Sequence, residues 1–472
     1  MKPNEVASAV ATIAHPTPSQ PLLDKYNRTG PRYTSYPTAL ELQSGMTDKQ
    51  LSATAYRSKK SALSLYFHIP FCHELCHYCA CNKQITRNKD KIRRYLSFLM
   101  QEVAYKAALL PKKPVAQIHF GGGTPNSLSS SQLDQLLDVI RAAFTVKPNA
   151  ELSIELDPRY VEPGDLQALR QSGFNRISMG IQDFAPQVQQ AINRVQSAEL
   201  IEQVMMQARQ SRFHSVNFDL VLGLPHQSLD TIKQTLDQVT QLNPDRLSVF
   251  NYAHLPQRFA AQRKIKDEWL PTAQTKQQLH NVTQQTLAQA GYQHIGMDHF
   301  AKPDDSLYVA QQEKRLHRNF QGYSEFGNVD LVGFGITAIS QIGDVIVQNV
   351  KSLTSYYATL DAISNEVLCN LTEKGIQLSF DDRVRAEVIQ QLICGFSVDI
   401  PGIEARFNVE FNSYFAEELA LLENMVQDGL MVIQPHALQV TDTGKPFIRT
   451  VCMCFDAYLP KYQKQPSFSQ VV

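Results

Sequence analysis

The chain is poor in three things, and each absence excludes something. It has no surplus of charge: 45 Lys plus Arg face 45 Asp plus Glu, a formal net charge of zero. A protein working mainly on nucleic acid or an anionic membrane surface carries a cationic excess, so neither is expected as a partner. It has no run of about 18 uncharged apolar residues, which excludes a membrane-spanning helix. It has only eight cysteines, four of them between residues 72 and 81. That crowding does not build a secreted disulfide framework and suits a reducing cytoplasm. The start of the chain, with Glu5 in a short Ala/Val stretch and then Pro16, Pro18 and Pro21, also lacks the basic and long apolar parts of a secretory signal.

What is present is a large α/β chain. Its 472 residues, 43% of them hydrophobic, accommodate a barrel of about 250 residues plus a smaller companion. Strand-like runs occur at Leu63–Phe71, Val115–Phe120, Glu151–Leu156, Arg176–Ile181, Val216–Leu222 and Arg246–Tyr252. Helical periods lie between them: Ile92, Tyr95, Leu96, Leu99, Val103 and Leu110 form one, and Leu133, Leu136, Leu137, Ile140 and Phe144 another. Such alternation makes parallel strands joined by right-handed crossovers, and six units predict a partial (β/α)6 barrel of the TIM type, open on one side. Pattern alone also allows a doubly wound sheet. The expected domains are an N-terminal arm over 1–55, its first 22 residues disordered, a barrel with its extension over 56–368, and a smaller, mostly helical domain over 369–472.

The chemistry centres on Cys72-His73-Glu74-Leu75-Cys76-His77-Tyr78-Cys79-Ala80-Cys81, on a loop beyond the first strand. Three thiolates at Cys-x3-Cys-x2-Cys spacing can take three irons of a cubane and leave the fourth open for a chelating ligand. Cys81, His73 and His77 could also complete a closed structural zinc site, which stays as the alternative to the favoured cluster on these residues. Further polar groups sit at the carboxyl ends of successive strands, where barrel enzymes keep their chemistry. Gly121-Gly122-Gly123-Thr124-Pro125 follows the second strand, and Glu155, Gln182 and Asp219 stand at or near the ends of the third to fifth. The sixth runs to Asn251-Tyr252-Ala253-His254.

The remaining segments read more plainly. Arg258–Asp267 is expected as a solvated helix, Thr272–Gly291 as a helix, and Tyr292–Ala301 as extended. The stretch from His317 through Gly335 reads as a surface loop with a hairpin. Arg383–Cys394 and Ser413–Asp428 look helical, and Met431–Ile433 with Leu438–Val440 forms a hairpin without Lys or Arg, so DNA is not expected there. Cys452 and Cys454 read as packing thiols.

Five motifs together resemble the oxygen-independent coproporphyrinogen III oxidases, a radical S-adenosylmethionine (SAM) family. They are Pro-Arg-Tyr-Thr-Ser-Tyr-Pro-Thr at 31–38, His-Ile-Pro-Phe-Cys at 68–72, Gly-Gly-Gly-Thr-Pro at 121–125, Asn-Tyr-Ala-His-Leu-Pro at 251–256 and His-Arg-Asn-Phe-Gln-Gly-Tyr at 317–323. The likeness runs from about Tyr33 to Leu459. The first and last motifs, and Cys81, separate the chain from the related haem-chaperone-like proteins. Tyr78 and Ala80 depart from the Phe and Gly that usually flank the third cysteine in this family.

The resemblance implies a four-iron four-sulfur (4Fe-4S) cluster on Cys72, Cys76 and Cys79, with Cys81 not a ligand, and two SAM molecules. Tyr66, Gly122, Glu155 and Ile339 would hold the SAM on the cluster. Tyr78, Gly123, Thr124, Gln182, Arg194, Asp219 and Ala253 would line the second site. The implied reaction converts two propionates of coproporphyrinogen III to vinyl groups, giving protoporphyrinogen IX, and each turn consumes one SAM as oxidant. Tyr66 would take part in the chemistry, while Arg32 and Gln321 are candidates to grip substrate carboxylates. An electron donor and an acceptor, both unidentified, a monomeric state and the cytoplasm complete the expectation. A tetrapyrrole-binding chaperone paralogue and a zinc-stabilised binding protein are the alternatives.

Overall fold

The outward faces of the strands explain the architecture. In β1 (Ala62–Ile69), Leu63, Leu65, Phe67 and Ile69 are buried beneath helices, whereas Ser64, Tyr66 and His68 alternate onto the other face. The same alternation recurs in β2 (Val115–Gly122), β3 (Val146–Leu156), β4 (Arg176–Gln182), β5 (Ser215–Leu222) and β6 (Arg246–Asn251). Helices α1 (Lys89–Leu109), α2 (Ser130–Ala143), α3 (Asp165–Gln171), α4 (Ala198–Gln210) and α5 (Leu229–Leu242) cover the apolar side. Each presents one apolar stripe, as with Leu133, Leu136, Leu137 and Ile140 of α2. Ser129 and Gln132 close the start of α2 in a reciprocal capping box, and Ser228 with Thr231 does the same for α5.

This computed structural model describes residues 19–365 and 369–462. The expected disorder of the first 22 residues falls mostly outside them, but Gln20–Tyr26 is helical, with Leu23 and Tyr26 buried. The predicted run of six parallel strands is present in the order β1 to β6. A seventh, β7 (Val329–Phe334), lies parallel to β1 on its other side, pairing Tyr66 with Gly333 and Phe67 with Phe334. Its glycines make this segment resemble a loop in sequence, whereas Gly333 is needed because a Cβ would meet the Ile339 backbone at 2.5 Å.

The sheet continues antiparallel past β7 through Ile339–Ile342, Val345–Asn349 and Thr372–Gln377. Beyond β6 it continues through His299–Ala301 and Gln293–Gly296. Among the described residues these two ends do not pair, so the barrel stays open.

Among the described residues two large apolar cores result, with two smaller clusters beside them. One lies between strands and helices of the barrel and takes in Leu51 and Ala55 from the helix Asp48–Arg57. The other belongs to the C-terminal helices, with the hairpin Met431–Gln434/Ala437–Val440 and a third strand Ser397–Asp399. Cys394 and Cys452 are buried there as packing groups. Leu23, Tyr26, Tyr33 and Tyr36 of the arm pack into this second core, so the arm is joined to the C-terminal helices. Ser413–Asp428 divides into Phe411–Tyr414 and Ala416–Gln427 where Phe415 leaves helical geometry.

Candidate active site

Because the inward strand positions are polar, the barrel encloses a cavity of about 600 Å3 rather than a packed core. Its floor is made by the first inward side chains. Ser64 Oγ donates to Gln117 Oε1 at 2.7 Å, Gln117 Nε2 donates to Glu151 Oε1 at 2.8 Å, and Arg246 Nε donates to Asp305 Oδ1 at 2.8 Å. Arg176 pairs with Glu151. These charges are spent on one another and close the floor.

Higher up, His119 Nδ1 lies 2.7 Å from Ser153 Oγ, and its Nε2 3.4 Å from Glu155 Oε1. Burial opposes the charge on Glu155, but His119 and the Gly122 N–H, at 3.1 Å from Oε2, hold its carboxyl below the usual range. Gly122 has φ +115°, and a Cβ there would stand 2.5 Å from the His68 ring. Asp219 accepts from Ser178 Oγ at 3.0 Å and Asn217 Nδ2 at 2.9 Å. Its own burial and then the nearby Glu155 charge push its carboxyl up to about 6.

The cysteine loop roofs this cavity. A short parallel pair, Phe71–Cys72 with Gln84–Ile85, ties its two ends together. Asn193 Nδ2 donates to Leu75 O at 2.9 Å, and His77 N donates to Ile192 O at 2.9 Å. His77 Nδ1 is engaged by the Ala191 carbonyl at 3.1 Å, a contact that competes with metal ligation through that nitrogen. Cys72, Cys76, Cys79 and Cys81 all line the cavity. Thr124 Oγ1 donates to Cys72 Sγ at 3.5 Å, Arg194 Nη1 to Cys76 Sγ at 3.7 Å, and Lys83 Nζ to Cys79 O at 3.0 Å.

Arg194 also donates to Asp157 Oδ2 at 3.0 Å and Gly180 O at 2.7 Å, which keeps its buried guanidinium charged and fixed. Ala80 is exposed and is not among the residues with positive φ, so its methyl meets no backbone restriction of the kind glycine relieves.

Most expected site residues meet here. Gly122, Gly123, Thr124, Glu155, Gln182, Arg194, Asp219, Ala253 and Tyr78 line the cavity with the thiols, as do Arg32 and Gln321. Gly123 packs tightly, since a Cβ would lie 2.7 Å from the Pro70 carbonyl carbon. Arg32 reaches in from the arm, paired with Asp298 at 3.1 Å, while Tyr33 Oη donates to Asp456 Oδ2 at 3.0 Å behind it. The motif at 31–38 is therefore both a packed segment and a wall of the cavity. Gln321 stands on the hairpin His317–Asn319/Gly322–Ser324, with both amide atoms buried and without a partner among the described residues. That stretch is buried at Arg318 and Asn319 instead of lying on the surface.

Two residues stand apart. Tyr66 stacks beside His119 at 5.9 Å and meets His68 Nδ1 at 3.2 Å without lining the cavity. Ile339, on an outer antiparallel strand, packs against a small cluster of Leu42, Ile346 and Leu378.

Several lining residues escaped the sequence reading. The inward His119, Ser153, Ser178, Asn217 and Ser248 were signalled by strict polar/apolar alternation, which a barrel with a packed interior would lack. Gln262 was missed outright. Arg258–Asp267 is not a helix but a loop with a 3-10 turn at Ala260–Lys264, because its buried Gln262 serves backbone groups. Gln262 Nε2 donates to Tyr78 O at 3.0 Å and Ala253 O at 3.1 Å, bridging the cysteine loop to the end of β6. A larger cleft of about 1350 Å3, lined by Lys60, His317 and Cys394, contains none of the loop residues.

Residues 66–239 match the Radical SAM superfamily, and 378–447 match the HemN C-terminal domain. The oxygen-independent coproporphyrinogen III oxidase of Salmonella typhimurium is 49% identical over 451 residues, which is 96% of this chain and 98% of that protein. The protein of the same name from Escherichia coli is 48% identical over the same shares. The solved structure of coproporphyrinogen III oxidase (HemN) from Escherichia coli, a radical SAM enzyme, superposes with a TM-score of 0.89 at 47% identity, covering 94% of this chain and 100% of that one.

The chain belongs to the oxygen-independent coproporphyrinogen III oxidase family. Nothing in these likenesses favours the zinc or haem-chaperone alternatives. As a radical SAM member of the oxidase family, the chain takes a 4Fe-4S cluster and SAM as cofactors. Its donor set fits them: Cys72, Cys76 and Cys79 share one cavity wall, with Cys81 beside them and Arg194 and Thr124 as donors to sulfur. Among the described residues no three His, Cys, Asp or Glu side chains converge as the ligands of a single ion do. Sulfurs that each take a separate iron are not required to converge.

Proposed function

We propose that this member of the oxidase family oxidatively decarboxylates two propionate side chains of coproporphyrinogen III to vinyl groups, yielding protoporphyrinogen IX for haem synthesis without oxygen. The observation that carries the reading is one cavity holding the loop thiols Cys72, Cys76 and Cys79, beside Cys81, together with the arm cation Arg32. Near full-length likeness to enzymes of that name supports it.

Cys72, Cys76 and Cys79 are assigned to the cluster and Cys81 is not. Bound together, the cluster and SAM supply one-electron abstraction of hydrogen at an unactivated carbon, here the propionate β-carbon. The chain's own groups then bind, orient and exclude water. Glu155, kept ionised beside Gly122, suits the hydroxyls of a ribose, with Tyr66 and Ile339 as further members of that site. Tyr78, Gly123, Thr124, Gln182, Arg194, Asp219 and Ala253 are assigned to a second SAM. A charged Asp219 suits an ammonium group.

Arg32 and the unpartnered amide of Gln321 are assigned to substrate carboxylates. A separate electron donor and a final acceptor complete the turnover. All eight cysteines are free thiols, which supports work in the reducing cytoplasm, and the chain is taken to act as a monomer.

The test is anaerobic reconstitution with iron and sulfide, followed by product analysis with SAM and coproporphyrinogen III. Release of CO2 and formation of protoporphyrinogen IX are expected. Reconstituted protein that binds the tetrapyrrole without releasing CO2 would refute the reading.

A further inference from the structure

The chain is neutral as a whole, yet residues 83–94 carry six cations, Lys83, Arg87, Lys89, Lys91, Arg93 and Arg94, and one carboxylate, Asp90. All but Lys83 are exposed. Arg87 and Arg93 have ion-pair partners in Glu74 and Asp90, whereas among the described residues Lys89 and Lys91 have none. The first turn of α1 falls within this stretch, and its backbone dipole adds to the positive potential. Such local density in a balanced chain is a steering feature rather than a solubility feature.

The same stretch touches the cysteine loop through the backbone. Gln84–Ile85 is the strand paired with Phe71–Cys72, and it places Ile85 in register with Cys72. Thr86 N donates to Cys72 O at 3.0 Å, and Gln84 N donates to Pro70 O at 2.6 Å. Ile85 is 46% exposed, an apolar side chain standing within the cationic field. One hydrogen bond thus separates the surface from a thiol residue assigned to the cluster.

We infer that Ile85 and the cations from Arg87 to Arg93 form the docking face for the electron donor, a small acidic one-electron carrier protein, and that the electron enters through Thr86 and Cys72. The inference rests on the cluster assignment above. In each transfer the carrier's reduced centre loses one electron, the 4Fe-4S cluster gains it, and no proton or bond is exchanged. Charge complementarity selects the carrier: an acidic surface is attracted to this face, and a basic one is repelled.

The test uses the full-length protein and Lys89→Glu/Lys91→Glu/Arg93→Glu, with a plant-type [2Fe-2S] ferredoxin of about −400 mV as the acidic carrier. Binding of oxidised ferredoxin is measured by fluorescence anisotropy at low and high salt, and cluster reduction by stopped-flow absorbance. The triple variant is expected to bind at least about tenfold more weakly and to be reduced correspondingly slowly. Binding to the unaltered protein is expected to weaken steeply with salt. Dithionite, which needs no docking, is expected to reduce both proteins alike and to support equal turnover.

Equal ferredoxin binding and equal reduction rates in the two proteins would overturn the docking face while leaving the cluster intact. So would binding of ferredoxin that does not respond to salt. Unaltered protein whose iron dithionite cannot reduce would instead overturn the cluster assignment.

Discussion

The Gly122 N–H and the Glu155 carboxylate meet across the ends of β2 and β3 at 3.1 Å, and the left-handed backbone of Gly122 sets that approach. A methyl at 122 would strike the His68 ring and force φ out of the +115° region. Gly122→Ala is expected to cut the response of the reconstituted cluster to SAM at least tenfold. Titration of SAM followed by electron paramagnetic resonance checks this, and an unchanged titration would refute the role of the Gly122–Glu155 contact.

Gln262 makes a sharper test, because it touches backbone and not the thiols. Gln262→Ala leaves Tyr78 O and Ala253 O without their shared donor, at a cost of about 1–3 kcal/mol of stability. SAM affinity is expected to fall about tenfold, with iron content unchanged. Equilibrium binding and iron analysis separate the two effects.

Asp219 gives a pH dependence. Its carboxyl, pushed to about 6 by burial and then by Glu155, stays protonated in the folded protein at pH values where it is ionised in the unfolded chain. The folded state therefore binds more protons there, and this group's contribution to stability falls as pH rises from about 4 to about 6. Asp219→Asn is expected to remove that decline, as urea unfolding at pH 4.5 and 7 will measure. SAM binding that needs the charged form is expected to weaken below about pH 6 in the unaltered protein only.

The outer wall can be tested separately from the cavity. Phe67 stacks between Phe120 at 5.0 Å and Phe334 at 4.6 Å, joining β1 to both neighbours. Phe67→Ala is expected to cost about 3–5 kcal/mol by loss of burial and a cavity left behind. Thermal unfolding checks this. The same change on a poorly packed wall would cost less than about 2 kcal/mol.

Much of this was legible in the residues. The six parallel strands, the loop beyond the first and the polar groups at strand ends follow from hydrophobic period and spacing, which are local signals. Strand β7 was not legible, because its place beside β1 is decided by a pairing far along the chain and its glycines resemble a loop. The role of Gln262 is hidden for the same reason: a glutamine in a charged stretch looks solvated until tertiary contacts bury it. The polar lumen was legible in principle. Alternation was present in every strand, but reading it as an interior demands knowing that helices cover the other face.

Arg32 owes its position to the far end of the chain. Arg449 Nε donates to the Pro31 carbonyl at 3.0 Å, and Tyr33 is anchored on Asp456. A fragment trimmed to residues 66–239 would keep the four loop thiols yet lose Arg32 together with the clasp that aims its guanidinium inward. On the carboxylate-gripping role proposed for Arg32, recombining such a core with a foreign tail would transplant the thiol loop without that contact to the substrate.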